Sequence, residues 1–430
     1  MDIFILLGTM IACFLIGMPI AYSLAMAAIA GALSVGIPLE ALMLKVSDGV
    51  SKVAMLTIPF FVLAGAIMAE GGMARRLVAF ADVLVGLTRL RGGLSIVNVL
   101  ATTFLSGISG SAVADTSAIG SVMIPQMEKN GYPRVFATNL TISSSVQALL
   151  VPPSHNAVLY SLATGGTISI SALFMAGVFP GLLIGFSLII LCLVIAYREG
   201  HPHGRTVPAR DAIKITIDAA WGLITLVIIL GGILGGIFTA IEAGAVACIW
   251  AFFVTMFVYR DYKWRDLPVL LHRTLRTVAM VMTLIACASA VGYIMALTQM
   301  PAKMTAFFLS ISSNKYVILL LLNVLLLLLG TLLDMAPSIL IATPILLPVM
   351  QNFGVDPVHF GMIMLLNLGI GLCHPPVGAI LFVGCAVGKV SLEEVMRKIW
   401  PFYGVMLFVL MLVTYLPEIS LWLPRHILQH

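Results

Sequence analysis

The chain has very little charge. Only 10% of its 430 residues are Asp, Glu, Lys or Arg, whereas 61% are hydrophobic. A soluble domain carries roughly 25% charged residues, so this composition excludes water as the main solvent of the protein. The net charge of +5 is weak evidence for an anionic partner, because basic residues of membrane proteins accumulate in loops that stay in the cytoplasm.

Short motifs of common enzyme sites are also missing. The sequence contains no G-x-S-x-G, no phosphate-binding G-x-x-x-x-G-K-[ST] and no HExxH, which argues against an enzyme and against an ATP-driven pump. No patch of basic and aromatic residues suggests nucleic acid. The six cysteines stand singly without metal-ligand spacing, so neither a disulfide nor a metal cluster is expected.

Long apolar stretches dominate the sequence instead. Residues 215–238, 240–257 and 316–333 are examples, each long enough to cross a hydrocarbon core of about 30 Å as a helix. Runs such as LLLLNVLLLLLG exclude the polar alternation of a membrane β-barrel. We therefore expect an all-α polytopic membrane protein with about 11 to 13 membrane segments.

Polar stretches suggest how the chain is organised. Residues 198–214 hold four Lys or Arg and two prolines, and the helix pair that follows is predicted to turn near 241–244. Both basic flanks of this pair are expected in the cytoplasm. The predicted order is scaffold helices at 1–56, a first repeat at 57–197, a cytoplasmic loop, helix pair and arm at 198–276, a second repeat at 277–398 and a C-terminal span at 399–430.

The two halves carry matching residues at a fixed offset. Pro152-Pro153 pairs with Pro375-Pro376 because 375 − 152 = 223, and the same offset pairs other Gly, Pro and Met residues. Upstream, Met73 pairs with Met300 at an offset of 227. Paired halves interrupted by Gly and Pro are typical of repeat-built transporters.

Four short polar stretches interrupt the apolar sequence, two in each half: 106–117, 143–156, 329–338 and 368–378. Each is predicted to end or unwind a helix at membrane depth, where such backbone is tolerated only inside protein or beside a wet cavity. This pattern predicts hairpins near 106–130 and 329–352 and broken helices near 137–160 and 358–388. A Pro-Pro pair leaves preceding carbonyls unpaired, and these can coordinate Na⁺ together with serine hydroxyls. Helix N-termini at the breaks can bind a carboxylate.

Several of these residues have two interpretations. Asp115 and Asp334 either take part in ion binding or cap a half-helix. The serines either bind ligands or let helices pack closely. His155, Asn156 and His374 either contact substrate or form hydrogen bonds between helices. Arg75 and Arg76 are interpreted as topological or lipid-facing charges.

Two long motifs carry a family resemblance. They are SGSAVADTSAIGSVMIPQMEKNGYPRVFA, with the later PPS, and DMAPSILIATPILLPVMQNFGVDPVHFGMIMLLNLGIGLCHPPVG. Over essentially its whole length the chain resembles the large membrane subunit of tripartite ATP-independent periplasmic (TRAP) transporters. The resemblance implies an inverted-repeat elevator fold with two re-entrant hairpins, with hairpin tips at 106–116 and 334–338 and unwound helices at 152–154 and 371–378. Segments 74–92 and 264–277 are interpreted as arms between a moving core and a fixed scaffold.

The resemblance also implies a function and partners. It predicts Na⁺-coupled uptake of an organic acid across the bacterial inner membrane, with a small four-helix membrane subunit and a periplasmic substrate-binding protein. His374 stands where family members often have Thr, and many lack the pair His155-Asn156. These extra polar groups would suit a hydroxylated acid such as a sugar acid. Rival interpretations are a carrier that needs no binding protein, a membrane enzyme and a structural scaffold.

The breaks and the resemblance together give three sets of candidate residues. The first Na⁺ site comprises Ser106, Ser109, Ser111, Asp115, Pro152 and Ser154. The second Na⁺ site comprises Gly330, Asp334, Ser338, Gly371, His374 and Gly378. The substrate site comprises Ser144, Ser145, His155, Asn156, Pro153, Pro375 and Pro376.

Overall fold

The computed structural model describes residues 2–87, 90–202, 208–376 and 378–427, with side chains described from Phe4 onward. The predicted polar divide therefore lies partly outside the described residues, at 203–207. Within the described ranges the chain forms helices joined by turns and contains no β-strand. This confirms the all-α class.

The helices of the first half begin with three that precede the repeat: α1 (Asp2–Leu15), α2 (Ile20–Val35) and α3 (Leu39–Val50). The first repeat contains α4 (Thr57–Glu70), α5 (Met73–Gly86), α6 (Gly93–Ser109), α7 (Ala112–Lys129), α8 (Arg134–Ser145), α9 (His155–Ala163) and α10 (Ile170–Glu199). Short 3₁₀ turns at Val53–Leu56 and Val146–Leu149 precede α4 and follow α8.

Two helices link the repeats, α11 (Ala209–Leu234) and α12 (Ala240–Phe253), and a π-helical turn at Val254–Tyr259 extends α12. The second half contains α13 (Leu267–Leu297), α14 (Met300–Ile311), α15 (Lys315–Leu332), α16 (Met335–Asn352), α17 (Pro357–Gly371), α18 (Ala379–Gly388), α19 (Leu392–Lys398), α20 (Trp400–Tyr415) and α21 (Glu418–Ile427).

Seven of the described helices are long and apolar enough to cross a membrane, or eight if the bent pair α19 and α20 is one span. The predicted count of about 11 to 13 segments is higher. Five further apolar helices of the described chain have only 10–17 residues. At 1.5 Å per residue, such helices do not reach across about 30 Å.

Helix boundaries repeat at the offsets found in the sequence. Helices α7 and α16 start 335 − 112 = 223 and end 352 − 129 = 223 residues apart, and α8 and α17 start 357 − 134 = 223 residues apart. Helices α5 and α14 start 300 − 73 = 227 residues apart. These helix boundaries therefore recur in both halves of the chain.

The prediction that segment 264–277 forms a separate arm helix is wrong. Helix α13 runs without a break from Leu267 to Leu297, because charges on one face do not interrupt backbone hydrogen bonds. The 227-residue offset instead makes α14 the counterpart of α5. The turn predicted near 241–244 is also misplaced: Gly235 and Gly236 end α11, and Thr239 starts α12 with a capping box formed with Glu242.

The two repeats pack against each other. Helix α9, which follows the first Pro-Pro pair, packs against α16 of the second repeat, and α18 packs against α7 of the first. Within a repeat, α6 packs on α8 and α15 packs on α17. Helix α10 packs closely on the first break. Its glycines Gly177, Gly181 and Gly185 let its backbone approach residues 147–151.

Candidate functional site

The first hairpin turns tightly at Gly110. Helix α6 ends at Ser109, Gly110 takes a left-handed conformation with φ +61°, and the Ser111 side chain caps α7 by accepting a hydrogen bond from the Ala114 N–H at 3.4 Å. A Cβ at Gly110 would lie 2.5 Å from the Pro153 carbonyl oxygen. The tip therefore sits directly on the first Pro-Pro pair and requires glycine at this turn.

Asp115 lies in the first turn of α7 and is completely buried. Its carboxylate accepts hydrogen bonds from the Ser106 hydroxyl at 2.7 Å and from the Ser109 hydroxyl. Since Ser111 occupies the cap position, the capping interpretation of Asp115 is wrong. No basic side chain forms an ion pair with Asp115 in the described part of the chain. Burying a carboxylate with neutral partners is expensive, which favours a functional role.

The first broken helix changes direction between α8 and α9. The 3₁₀ turn Val146–Leu149 is followed by a cis Pro152-Pro153 bond, and α9 starts at His155. Ser154 caps α9 by accepting from the Ala157 N–H at 3.4 Å, and its hydroxyl donates to the Leu149 carbonyl at 2.7 Å. The predicted break is therefore present, with Ser154 holding its two sides together.

The second hairpin differs from the first at the matching positions. Asp334 caps α16, because its Oδ1 accepts from the Met335 N–H at 2.8 Å, which confirms the capping interpretation for this residue. Its repeat counterpart is Ser111, since 334 − 111 = 223. The counterpart of Asp115 is Ser338, whose buried hydroxyl has no hydrogen-bond partner among the described residues. The two aspartates are therefore not equivalent.

The first part of the second broken helix, α17, ends at Gly371, where it crosses α15. A Cβ at Gly371 would lie 2.7 Å from the Gly330 Cα, so both backbones need glycine to meet. Beyond this crossing the Tyr403 hydroxyl donates to the Cys373 carbonyl oxygen. The Nδ1 atom of His374 lies 2.7 Å from the Pro375 carbonyl oxygen. These two carbonyl oxygens already have hydrogen-bond partners. The sequence had instead suggested that carbonyls near the Pro-Pro pair are unpaired and available for Na⁺.

Past this crossing, Pro375-Pro376 is a second cis bond and Pro376 is exposed. Gly378 precedes α18, and its N–H donates to the His374 carbonyl oxygen at 3.2 Å. The predicted residues of the second break thus lie next to one another. They supply backbone oxygens and no buried carboxylate.

The predicted substrate residues differ in availability. The hydroxyls of Ser144 and Ser145 donate to carbonyls one turn earlier in α8, at 2.6 and 2.8 Å. Asn156 is buried, and its Nδ2 atom has no partner among the described residues. His155 follows the first break directly, and its backbone nitrogen would lie 3.4 Å from a Cβ at Gly110. The first break therefore lies against the tip of the first hairpin.

Ser143 begins the predicted polar stretch 143–156, and its hydroxyl is buried without a partner in the described ranges. Sequence reasoning missed other buried polar residues. Thr103 donates to Gln147 at 2.7 Å and ties α6 to the first break. In the second half, Asn367 donates to Asn323 at 2.7 Å and ties α17 to α15. The sequence signal that could have identified these contacts is an isolated Asn or Gln in an apolar segment, as at Gln147, Asn323 and Asn367.

Together these features define a class of protein. A helical membrane chain with a two-fold repeat and buried polar breaks has the architecture of a membrane transporter. The structure of the Alcanivorax borkumensis YdaH transporter shares this fold, with a TM-score of 0.66, 15% identity and 90% of each chain covered.

The chain belongs to the family described as "Tripartite ATP-independent periplasmic transporter, DctM component", whose sequence model matches residues 7–419. It is 40% identical over 426 residues to the uncharacterized protein YgiK of Salmonella typhimurium, covering 98% of this chain and 97% of that one. It is 36% identical over 438 residues to the C4-dicarboxylate TRAP transporter large permease protein DctM of Rhodobacter capsulatus, covering 99% of each.

A third relative is the sialic acid TRAP transporter large permease protein SiaM of Vibrio cholerae. It is 37% identical over 412 residues, and the match covers 95% of each chain. DctM and SiaM are named as transporter permeases and not as enzymes, as the missing enzyme motifs predicted. The resemblance to TRAP large permease subunits is confirmed.

Proposed function

We propose that this chain is the permease of a Na⁺-coupled uptake system for an organic acid in the bacterial inner membrane. The acid is delivered by a periplasmic binding protein, and a small four-helix membrane subunit completes the transporter. The observation that carries this proposal is the buried Asp115 carboxylate, held by Ser106 and Ser109 next to a hairpin tip that packs on the first Pro-Pro pair.

The chemistry of this cluster suits a small hard cation. A carboxylate, two hydroxyls and the carbonyls of the adjacent break are oxygen ligands, as Na⁺ requires, and cation binding would neutralise the negative charge of the ionised Asp115 carboxylate. The Ser106 and Ser109 hydroxyls would turn their protons away from Asp115 to accept the ion. A weaker second site would use the Ser338 hydroxyl and backbone oxygens near Gly371, with Asp334 as a cap of α16.

The anionic substrate would bind between the hairpin tips. Helices α7, α9 and α16 all start at the breaks, and their N-terminal N–H groups favour a carboxylate. The unpartnered amide of Asn156 adds a donor for a substrate hydroxyl, so a hydroxylated acid fits better than a plain dicarboxylate. Relatives named for C4-dicarboxylate and for sialic acid show that acids of both kinds occur in the family.

Transport would move the hairpins and broken helices as one body. In this elevator proposal the repeats have inverted topology and the hairpins re-enter from opposite sides. The mutual packing of α9 on α16 and of α18 on α7 supports one rigid core built from both repeats. The helices α1–α3 and α11–α13 would form the scaffold.

Reconstituted vesicles test the function. The chain, its small subunit and the loaded binding protein should accumulate radiolabelled acid only with an inward Na⁺ gradient, and K⁺ replacement should abolish uptake. Uptake without the binding protein would support the rival carrier interpretation. Uptake that is independent of Na⁺ would overturn the coupling proposal.

A further inference from the structure

Lys52 connects the proposed scaffold to the proposed moving core. It lies between α3 and the 3₁₀ turn that precedes α4, and its ammonium donates a hydrogen bond to the Gly165 carbonyl oxygen at 2.9 Å. Gly165 lies just past the end of α9, where the helix dipole favours a cation. No carboxylate pairs with Lys52 in the described part of the chain. The end of a core helix therefore receives its positive charge from the scaffold.

The scaffold side of this contact is closely packed. Helix α3 lies along α13, and a Cβ at Gly49 would come within 2.7 Å of the Ser289 Cβ. Gly49 stands only three residues before Lys52, since 52 − 49 = 3. The position from which Lys52 reaches α9 is therefore set by the packing of α3 on α13.

A cavity lies beside the contact, between the scaffold and the core. Its volume is about 200 Å³, and its lining includes Ile285 and Gly292 of α13 on one side and Ala163 of α9 and Leu340 of α16 on the other. Gly292 faces open space, because a Cβ built there meets no atom within 4 Å. Side chains therefore do not interlock across this part of the boundary, which the Lys52 hydrogen bond crosses.

The matching helix end of the second repeat is held from within the core. The counterpart of Gly165 is Gly388, since 388 − 165 = 223, and its carbonyl oxygen accepts a hydrogen bond from the Arg134 Nε at 2.6 Å. Arg134 begins α8, which belongs to the core. The counterpart of Arg134 is Pro357, since 357 − 134 = 223, and proline carries no charge. In the first repeat a scaffold lysine therefore takes the role that a core arginine has in the second.

A chemically similar contact lies wholly inside the core. The Lys315 ammonium, at the start of α15, donates to the Gly354 carbonyl oxygen just past α16, also at 2.9 Å. Helices α15 and α16 are the two arms of the second hairpin, and they move together in the proposed mechanism. Movement of the core would therefore break the Lys52 contact and leave the Lys315 contact intact.

We infer that Lys52 is a latch, a scaffold side chain that holds the core in this position and must release Gly165 before the core moves. The inference rests on the proposed elevator movement. It adds a residue outside the ion and substrate sites that sets the balance between positions of the core. An exposed cation at a helix end contributes modestly, so loss of the latch should shift this balance by about threefold.

Cross-linking across the cavity tests the latch. Ser289→Cys of α13 and Ala163→Cys of α9 face the same cavity, and they are combined in a parent chain that lacks its six native cysteines and retains uptake. A short bifunctional thiol reagent joins them when the core is in this position. In Lys52→Met the ratio of joined to unjoined protein after a brief reaction should fall by about threefold. Lys52→Arg should keep the parent ratio, and so should the matched control Lys315→Met.

Two results would overturn the inference. An equal ratio in Lys52→Met and in the parent chain would show that the lysine does not hold the core. An equal fall in Lys52→Met and Lys315→Met would show a general effect of helix ends. Failure of the latch and failure of the proposed function are distinguishable: in the first case the parent three-component system still takes up acid with a Na⁺ gradient, and in the second it does not.

Discussion

Asp115 and Ser338 occupy the same position in the two repeats, because 338 − 115 = 223. Both side chains are buried in the first turn of a hairpin helix, yet only Asp115 is ionisable, and only its side chain has partners among the described residues. The two halves of the proposed ion machinery are therefore unequal. A cation would be held more strongly at the first hairpin than at the second.

Asp115→Asn should raise the Na⁺ concentration for half-maximal uptake by about tenfold or more. The variant keeps the shape of the side chain but removes the charge that attracts the cation. Uptake in vesicles at graded Na⁺ measures this effect, with Asp48→Asn as the control, since Asp48 is exposed and paired with Lys45. An unchanged Na⁺ dependence would exclude Asp115 from the ion site.

Asp334 should be replaceable by other capping residues. Asp334→Ser copies Ser111 and should leave stability within about 0.5 kcal/mol, whereas Asp334→Ala should destabilise by about 1 kcal/mol because α16 loses its cap. Thermal unfolding in detergent measures both variants. If Asp334→Ser is stable but loses uptake, the carboxylate has a role beyond capping.

Gly110→Ala should destabilise the first hairpin by about 2 to 4 kcal/mol. Alanine is strained in the left-handed conformation, and its Cβ would collide with the Pro153 carbonyl oxygen. Gly131→Ala is the matched control, since Gly131 also has a positive φ but open space around it. The control should lose only about 1 kcal/mol. Equal unfolding temperatures for the two variants would contradict the tight packing of the tip.

Gly371→Ala should separate α15 from α17 and reduce uptake strongly, because its Cβ meets the Gly330 backbone, which cannot move aside as a side chain can. Gly292→Ala in α13 has open space and should be tolerated. Uptake and thermal unfolding are measured together. Normal uptake by Gly371→Ala would show that this crossing is not needed for transport.

Asn156→Ala should lower the affinity for a hydroxylated acid by about tenfold and leave a plain dicarboxylate unaffected, because only the hydroxyl uses the amide. The measurement compares uptake of paired acids that differ by one hydroxyl. If both His155→Ala and Asn156→Ala retain full uptake of every tested acid, the hydroxylated-acid hypothesis is wrong.

The sequence alone predicted much of the fold. Apolar length and the absence of charge indicated a helical membrane protein, and the 223-residue offset matched helix starts such as those of α7 and α16. Gly, Pro and Ser mark helix ends through local backbone geometry, so Gly110, Pro152 and Ser154 identified a tip and a break without any tertiary information. Segment 264–277 misled because its charges resembled those of an arm, while its backbone continued as α13.

Tertiary packing decided which polar groups meet. Asp115 and Asp334 look alike in the sequence, but one is paired with two serines and the other caps a helix. Arg76 was interpreted as a topological or lipid-facing charge, but its guanidinium pairs with Asp218 of α11 and with Asp261, which follows α12. Local sequence fixes where helices end, since those signals act within a few residues. It does not determine which side chain shares a buried space with which, because that depends on helices far apart in the chain.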